Sequence, residues 1–476
     1  MNGERRPPVL GALHRLGADP ERGYWAFGKG GVDCVNQRIS NGKGLVTAGY
    51  LLTDLNDALS SQVIVTLSAK WTVTKSLEHN CEQLAARAYG ELVAVTSVLM
   101  RRRPDTFALL LLLGCGTDTT AIGDEVYGSA AAAFSARQGA LVALGGEIFQ
   151  DTNLSSPAGQ SCASCHEVER GFSDPDDDVP TSEGVILGRV GVRNTPMAAY
   201  ASFIPPLTWD PAEELYVGGL FLDGRAESLE AQAGQPFLNP LEMNNPSRDA
   251  VVAQLRRAPY RGRFERVFGR DVLAEVEGAY LAMTLAIAAF ERTPAFAPFS
   301  SKYDAFLAGR VRLTRRERRG LALFEDPAKG NCAACHPTTA SEDGLPPMFT
   351  DFTYDNIGVP RNLDNAFYSL PPELNAEGAG FIDRGLGKTV DDPAEDGKFR
   401  VSSLRNVALT APYAHNGFFA DLRSVVQFYN TRDISDWGSP EVPETVNHDE
   451  LGNLGLSDAE VDAIVAFLET LTDGYE

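Results

Sequence analysis

A mainly α-helical fold, built as two similar domains with long loops, is what the sequence predicts, and three observations predict it. Two Cys-x-x-Cys-His pentapeptides occur, one at Cys162/Cys165/His166 and one at Cys332/Cys335/His336. Each follows an amphipathic helical pattern ending in phenylalanine: Leu144-Gly145-Gly146-Glu147-Ile148-Phe149 before the first, Arg319-Gly320-Leu321-Ala322-Leu323-Phe324 before the second. Strand signals are few, while loops such as Asp174 to Thr181 and Leu370 to Lys398 are long and punctuated by Pro, Gly and Asp.

Taken in order, residues 1–99 carry neither an apolar span nor a recognisable motif. Met100-Arg101-Arg102-Arg103 then leads into the apolar run Phe107 to Leu113 and on to Gly114-Cys115. A basic stretch, a short apolar stretch and a small residue before cysteine make a secretory signal, too short to span a bilayer. The end of the run resembles the lipobox of bacterial lipoproteins, in which the cysteine becomes the lipidated first residue. Translation is therefore expected to start at Met100, with 1–99 an upstream extension outside the mature protein and 100–115 a signal peptide. Cys115 would then be a lipid anchor in the outer membrane. The competing reading is a core helix of a longer protein. Residues 116–135 are small and polar, as suits a tether; 136–300 and 301–476 are expected to be the two domains. Thr314 with Glu317 forms a capping box that starts the helix before the second pentapeptide. Ser457 with Glu460 does the same for a C-terminal helix running to about Leu471.

A chain of 476 residues holds two or three domains. Its 42 basic and 64 acidic residues give a net charge of −22; residues 1–115 hold 13 basic and 10 acidic, so the remainder carries −25. That argues against nucleic acid as a partner. An acidic surface attracts a basic partner, such as a small electron-carrier protein, although plain solubility accounts for it equally well. Of the seven cysteines, four lie in the pentapeptides, Cys115 ends the apolar run, and Cys34 and Cys81 are left over. No disulfide framework is implied.

Cys-x-x-Cys-His puts two thiols one helical turn apart, where both add to the vinyl groups of one haem while the next imidazole binds iron. A zinc site is the competing reading, but it would leave an odd ligand set. Two covalently bound haem c groups follow, and with them two cytochrome c-like haem domains. Covalent haem requires export, in agreement with the signal at Met100. Beyond residue 99 the histidines are His166, His336, His415 and His448. Apart from the proximal His336, none lies between His166 and His415, so the first haem lacks a distal histidine from its own domain. An open iron position is where a small oxidant binds, which points to chemistry at the first haem and electron storage at the second.

From about Leu144 to Leu471 the sequence resembles the bacterial di-haem cytochrome c peroxidase family, especially its MauG-like branch. The landmarks are Ser161 to His166, Arg193-Asn194-Thr195-Pro196, Asp223-Gly224-Arg225, Ser228-Leu229-Glu230-x-Gln232-Ala233, Pro236, Glu242-Met243, Asn356-Ile357-Gly358, and Leu404 to Tyr413. The resemblance implies that Glu242 sits over the open haem and moves a proton between the oxygens of hydrogen peroxide. It implies that Gln232 and Pro236 shape the same pocket. It implies that Tyr429, on an expected helix Leu422 to Asn430, ligates the second haem, with Met348 as the alternative. It also implies a Ca2+ ion between the haems, with Asn194, Thr410 and Pro412 as ligands. One position departs: Leu222 stands where the family usually has a tryptophan between the haems, and Trp209 or Phe221 are the available substitutes.

The expected function is a periplasmic oxidoreductase that reacts hydrogen peroxide at the His166 haem and draws electrons through the Tyr429 haem. The electrons come from a small redox carrier or from a residue of a protein substrate. The alternative is a non-enzymatic di-haem electron-transfer cytochrome, in which a ligand such as Met243 closes the first iron.

Overall fold

A computed structural model describes residues 43–52, 63–72 and 120–475 without 177, 342 and 343, with side chains from residue 134 onward. The expected signal peptide, Cys115, Cys34 and Cys81 lie outside the described residues. The chain divides into two compact units, residues 1–125 and 126–476.

In the first unit, strands β1 (Lys43–Leu52) and β2 (Val63–Thr72) pair antiparallel, with Lys43 opposite Thr72 and Leu52 opposite Val63. Both runs are rich in Val, Leu, Ile and Thr, which suit a pleated surface. The sequence alone predicts no element there.

Helix α1 (Thr120–Phe149) leads into the second unit. Residues 120–135, expected as part of a tether, are its first half; the run Ala130 to Ala133 has the highest helix propensity available. The elements that follow are mostly short. They are α2 (Cys162–Cys165), the hairpin β3 (Thr208–Asp210) and β4 (Leu215–Val217), α3 (Leu229–Ala233), α4 (Gln235–Leu238), α5 (Arg248–Leu255), α6 (Arg261–Phe268) and α7 (Val276–Glu291). Beyond them come α8 (Lys302–Leu307), α9 (Arg315–Glu325), β5 (Tyr354–Asp355), α10 (Leu386–Val390), β6 (Phe399–Arg400), α11 (Leu422–Thr431) and α12 (Asp458–Leu468). Both expected capping boxes form: Thr314 and Glu317 exchange side-chain and backbone bonds at the start of α9, and Ser457 and Glu460 do so at α12.

Two large apolar cores and two smaller apolar clusters lie among the described residues of this unit. One large core gathers Leu144, Ile148, Phe149, Phe237, Met283, Ile287 and Phe296; the other gathers Leu323, Phe324, Phe349, Val461, Ile464 and Phe467. Their central helix crossings repeat. At α1 on α7, a Cβ on Gly145 would lie 1.9 Å from Ala286 O and 2.9 Å from Phe290 Cβ; at α9 on α12, one on Gly320 would lie 1.9 Å from Ala463 O and 2.8 Å from Phe467 Cβ. The Phe149 and Phe290 rings meet edge to face at 5.4 Å, and Phe324 and Phe467 at 5.1 Å. Behind this stands a sequence repeat, Ala286-Ile287-x-Ala289-Phe290 and Ala463-Ile464-x-Ala466-Phe467, which the sequence reading missed.

Buried polar contacts join the two cores. Arg405, 1% exposed, pairs through both Nη groups with Asp304 at 3.0 Å and lies against the rings of Tyr200, Phe299 and Phe349. Tyr200 from the first half donates to Asp473 near the C-terminus at 2.7 Å. Among the described residues no helix is long and apolar enough to cross a membrane.

Candidate functional site

Each Cys-x-x-Cys-His segment is a single tight turn. Ser161 caps α2, with its N–H bonded to Ser164 Oγ at 3.0 Å, and the His166 N–H closes on Cys162 O at 3.0 Å. Cys332 opens a 3-10 turn in which the His336 N–H closes on Cys332 O at 2.9 Å. Burial pushes the thiol of Cys162 up and those of Cys165, Cys332 and Cys335 up to about 12, so none ionises near neutrality.

The two histidines are held alike. His166 Nδ1 lies 2.9 Å from Phe172 O, and His336 Nδ1 lies 2.7 Å from Phe349 O. A ring nitrogen tied to a carbonyl fixes the tautomer and leaves Nε2 for a metal. Burial lowers the pKa of both imidazoles and keeps them neutral, as ligation requires. Phe172 and Phe349 both adopt the left-handed region, at φ 62° and 52°, which turns their carbonyls toward the histidines. After each phenylalanine come a hydroxyl residue and an aspartate: Phe172-Ser173-Asp174 and Phe349-Thr350-Asp351. Asp174 acts electrostatically on Cys165 and His166, and Asp351 on Cys335 and His336. This Phe-Ser/Thr-Asp repeat was the available signal for the carbonyl acceptors, and the sequence reading passed over it. The donor set therefore fits two haem c groups.

Glu242 belongs to the first of these sites. Its charge acts on both Cys162 and Cys165, and Asn239 Nδ2 donates to its Oε1 at 2.7 Å. Burial raises the Glu242 pKa against the opposing pull of that bond and of Arg225. The turn carrying it is stitched to α4: Asn239 N and Met243 N both donate to Pro236 O, at 3.2 and 3.3 Å, and Glu242 N donates to Asn239 O at 3.1 Å. Pro236 and Glu242 are thus brought together, with Gln232 one turn upstream on α3. Met243 packs into the first core. A second acid, missed in the sequence, also acts on Cys162: Glu291 at the end of α7 is 7% exposed, and burial pushes its pKa up to about 8.

Tyr429 lies half-buried on α11, which is one residue longer than expected. Burial raises its pKa, and Asp355, Cys332 and Cys335 act on it in the same direction, so Tyr429 faces the second cysteine pair. Met348, the alternative ligand, packs instead into the first core. Its neighbour Phe349 belongs to the second, because the chain crosses from one core to the other at this point.

Asn194 and Pro412 meet: Asn194 Nδ2 lies 3.1 Å from Pro412 O and 3.3 Å from Pro180 O. Two carbonyl oxygens and an amide converge there, oxygen chemistry that suits a hard cation once the amide presents its Oδ1. Thr410 stands two residues from Pro412, with its hydroxyl turned back to Val407 O at 3.2 Å. Among the described residues no cluster of three or more His, Cys, Asp or Glu could hold a metal.

Two further histidines lie within the described residues. His415 stacks on Phe399 at 3.8 Å with its Nε2 3.8 Å from Glu441 Oε2, and His448 lies on the surface beside Asp433. Leu222 is buried in the polypeptide between Phe221 and Asp223. Of its two substitutes, Trp209 is 44% exposed on the β3–β4 hairpin against Tyr216, and Phe221 carries the Arg225 guanidinium 3.5 Å above its ring.

A family model described as di-haem cytochrome c peroxidase matches residues 139–312. The methylamine utilization protein MauG of Paracoccus denitrificans is 43% identical over 353 residues, which cover 70% of this chain and 89% of that protein. The cytochrome-c peroxidase IdrP2 of Denitromonas iodatirespirans is 31% identical over 348 residues, covering 70% and 81%. Among solved structures, the diheme peroxidase BthA from Burkholderia thailandensis matches with a TM-score of 0.63 at 36% identity, over 70% of this chain and 86% of that one.

Proposed function

The chain belongs to the di-haem cytochrome c peroxidase family, and from that premise we propose that it is a MauG-like peroxidase with divided labour between its halves. Hydrogen peroxide is reduced on the His166 side, and electrons arrive through the His336 side from a small redox carrier or from a residue of a protein substrate. Residues 136–300 and 301–476 are then two cytochrome c-like haem domains. The haems, when bound, supply an open iron for peroxide and a closed one that stores electrons.

The chain's own residues do the rest. Cys162 and Cys165 anchor one haem and Cys332 and Cys335 the other, while the Phe172 and Phe349 carbonyls hold His166 and His336 in the orientation that presents Nε2. Glu242 would take a proton from the near oxygen of hydrogen peroxide and return it to the far one, so that the O–O bond breaks with water as the leaving group, while two electrons from the haems and two further protons convert the near oxygen to a second water. Asn239 fixes that carboxyl through Oε1, and burial, which keeps its pKa raised, suits it to give a proton back. Gln232 and Pro236 close the pocket around it. Tyr429 would hold the second haem through a hard oxygen, a chemistry that would leave the first haem as the reactive one. Asn194, Thr410 and Pro412 hold Ca2+ where the halves meet.

The observation that carries this reading is Glu242: a half-buried carboxyl, its pKa raised by desolvation, acting on both thiols of the first pair, with no histidine described beside it. The test is peroxide turnover by Glu242→Gln carrying two haems, expected to fall at least tenfold; unchanged turnover rejects Glu242 as the proton carrier. Covalent haem and the family's periplasmic members support the periplasm as the compartment, and the lipid anchor at Cys115 rests on the sequence alone.

A further inference from the structure

Four arginines of the second unit are more than nine-tenths buried or nearly so in their side chains, and three have carboxylate partners. Arg405 pairs with Asp304, Arg432 with Asp433, and Arg193 with Asp223 and Asp383. Arg400 is the exception. It is 7% exposed, and among the described residues no carboxylate lies within ion-pair distance of it. Its Nε donates to Phe221 O at a long 3.4 Å, and its Nη groups make none of the described hydrogen bonds. Burial lowers its pKa, with only the Tyr354 hydroxyl opposing. A buried guanidinium without an anion is strongly unfavourable, and buried charges are paired as a rule.

The position of Arg400 says which anion completes it. β6 pairs with β5 so that Arg400 lies opposite Tyr354, and the next residue of β5, Asp355, acts on Cys335 and Tyr429. On its other side the Arg400 N–H donates to Leu222 O at 2.9 Å, the loop that begins the first half's Asp223-Gly224-Arg225 landmark. Arg400 therefore stands between the two halves, tied to both, at the position where Leu222 leaves no indole. A haem carries two propionate carboxylates on the edge opposite its thioether bonds, and guanidinium matches carboxylate in a two-pronged geometry.

We propose that Arg400 binds a haem propionate between the two haems and is a positioning residue for the electron path there. This rests on the di-haem reading above, so the first measurement is haem stoichiometry: fewer than two covalent haems in the wild-type protein would defeat that reading and not this one specifically. With two haems present, the midpoint potentials of wild type and Arg400→Gln are compared by spectroelectrochemistry. Loss of a nearby cation favours the ferric state, so one midpoint is expected to fall while the other moves less. Two unchanged midpoints in a variant that keeps both haems overturn the proposal. Should Arg400→Gln not accumulate, Arg400→Lys decides through the redox-difference infrared spectrum: a shifted propionate carboxylate band supports direct pairing, and a band identical to wild type overturns it.

Discussion

Arg193 and Asp383 form a two-pronged ion pair, Nε to Oδ2 and Nη2 to Oδ1, both at 2.7 Å, and the remaining Nη1 reaches Asp223 Oδ2 at 2.7 Å. One side chain thus ties the Arg-Asn-Thr-Pro segment to the Asp-Gly-Arg segment and to the loop before α10. Arg193 also precedes Asn194, so the same clamp orients the loop proposed to hold Ca2+.

Burial alone would raise the Asp383 pKa, but Arg193 holds it at about 2. A carboxylate whose folded pKa lies below its unfolded value near 3.8 contributes stability above that value and loses it as pH falls toward 2. Asp383→Asn leaves Arg193 with a buried, partly unpaired charge and is expected to cost about 3 kcal/mol at pH 7. Thermal unfolding of the loaded protein from pH 7 down to pH 2 checks this: wild type should lose stability below about pH 4, and the variant should lose less over that interval.

The repeated glycine crossings predict a pair of equivalent lesions. A methyl group on Gly145 or Gly320 would fall 1.9 Å from a backbone carbonyl, which no side-chain rotation relieves. Gly145→Ala and Gly320→Ala should each destabilise by about 2–3 kcal/mol, measured as a fall in thermal midpoint. Gly188→Ala, where nothing lies within 4 Å but φ is +80°, should cost less.

Peroxide turnover should follow Glu242. With its pKa raised by burial, Glu242 is ionised, and able to accept a proton, only above that raised value. The rate is therefore expected to drop as pH falls through it. Glu242→Gln should lower kcat by about 100-fold and remove that pH limb, while the pyridine haemochrome still reports two haems.

Bound calcium should depend on the Asn194 amide. Metal analysis of the purified protein is expected to find about one Ca2+ per chain, removable by a chelator, and Asn194→Ala should bind it more weakly by about tenfold. An Asn194→Ala variant with unaltered calcium content would count against this site.

Much of this architecture was legible in the sequence because covalent haem attachment demands a strict pentapeptide, and because capping boxes such as Thr314 with Glu317 satisfy helix ends locally. The Phe172 and Phe349 carbonyls were not, since a backbone acceptor leaves no residue-type signature beyond the Phe-Ser/Thr-Asp repeat. Glu291 and Arg400 looked like ordinary charged residues; their significance lies in burial, which the three-dimensional packing of α7 and of β6 creates. The helix over 120–135 was misread as a tether because its small residues suit either state.

The most direct test of divided labour is the electron paramagnetic resonance spectrum of the resting ferric protein, in wild type and in Tyr429→Phe. One high-spin haem and one low-spin haem are expected in wild type, with the low-spin signal altered or converted to high spin by the substitution. Two low-spin signals, both unaffected by Tyr429→Phe and by added hydrogen peroxide, would contradict divided labour.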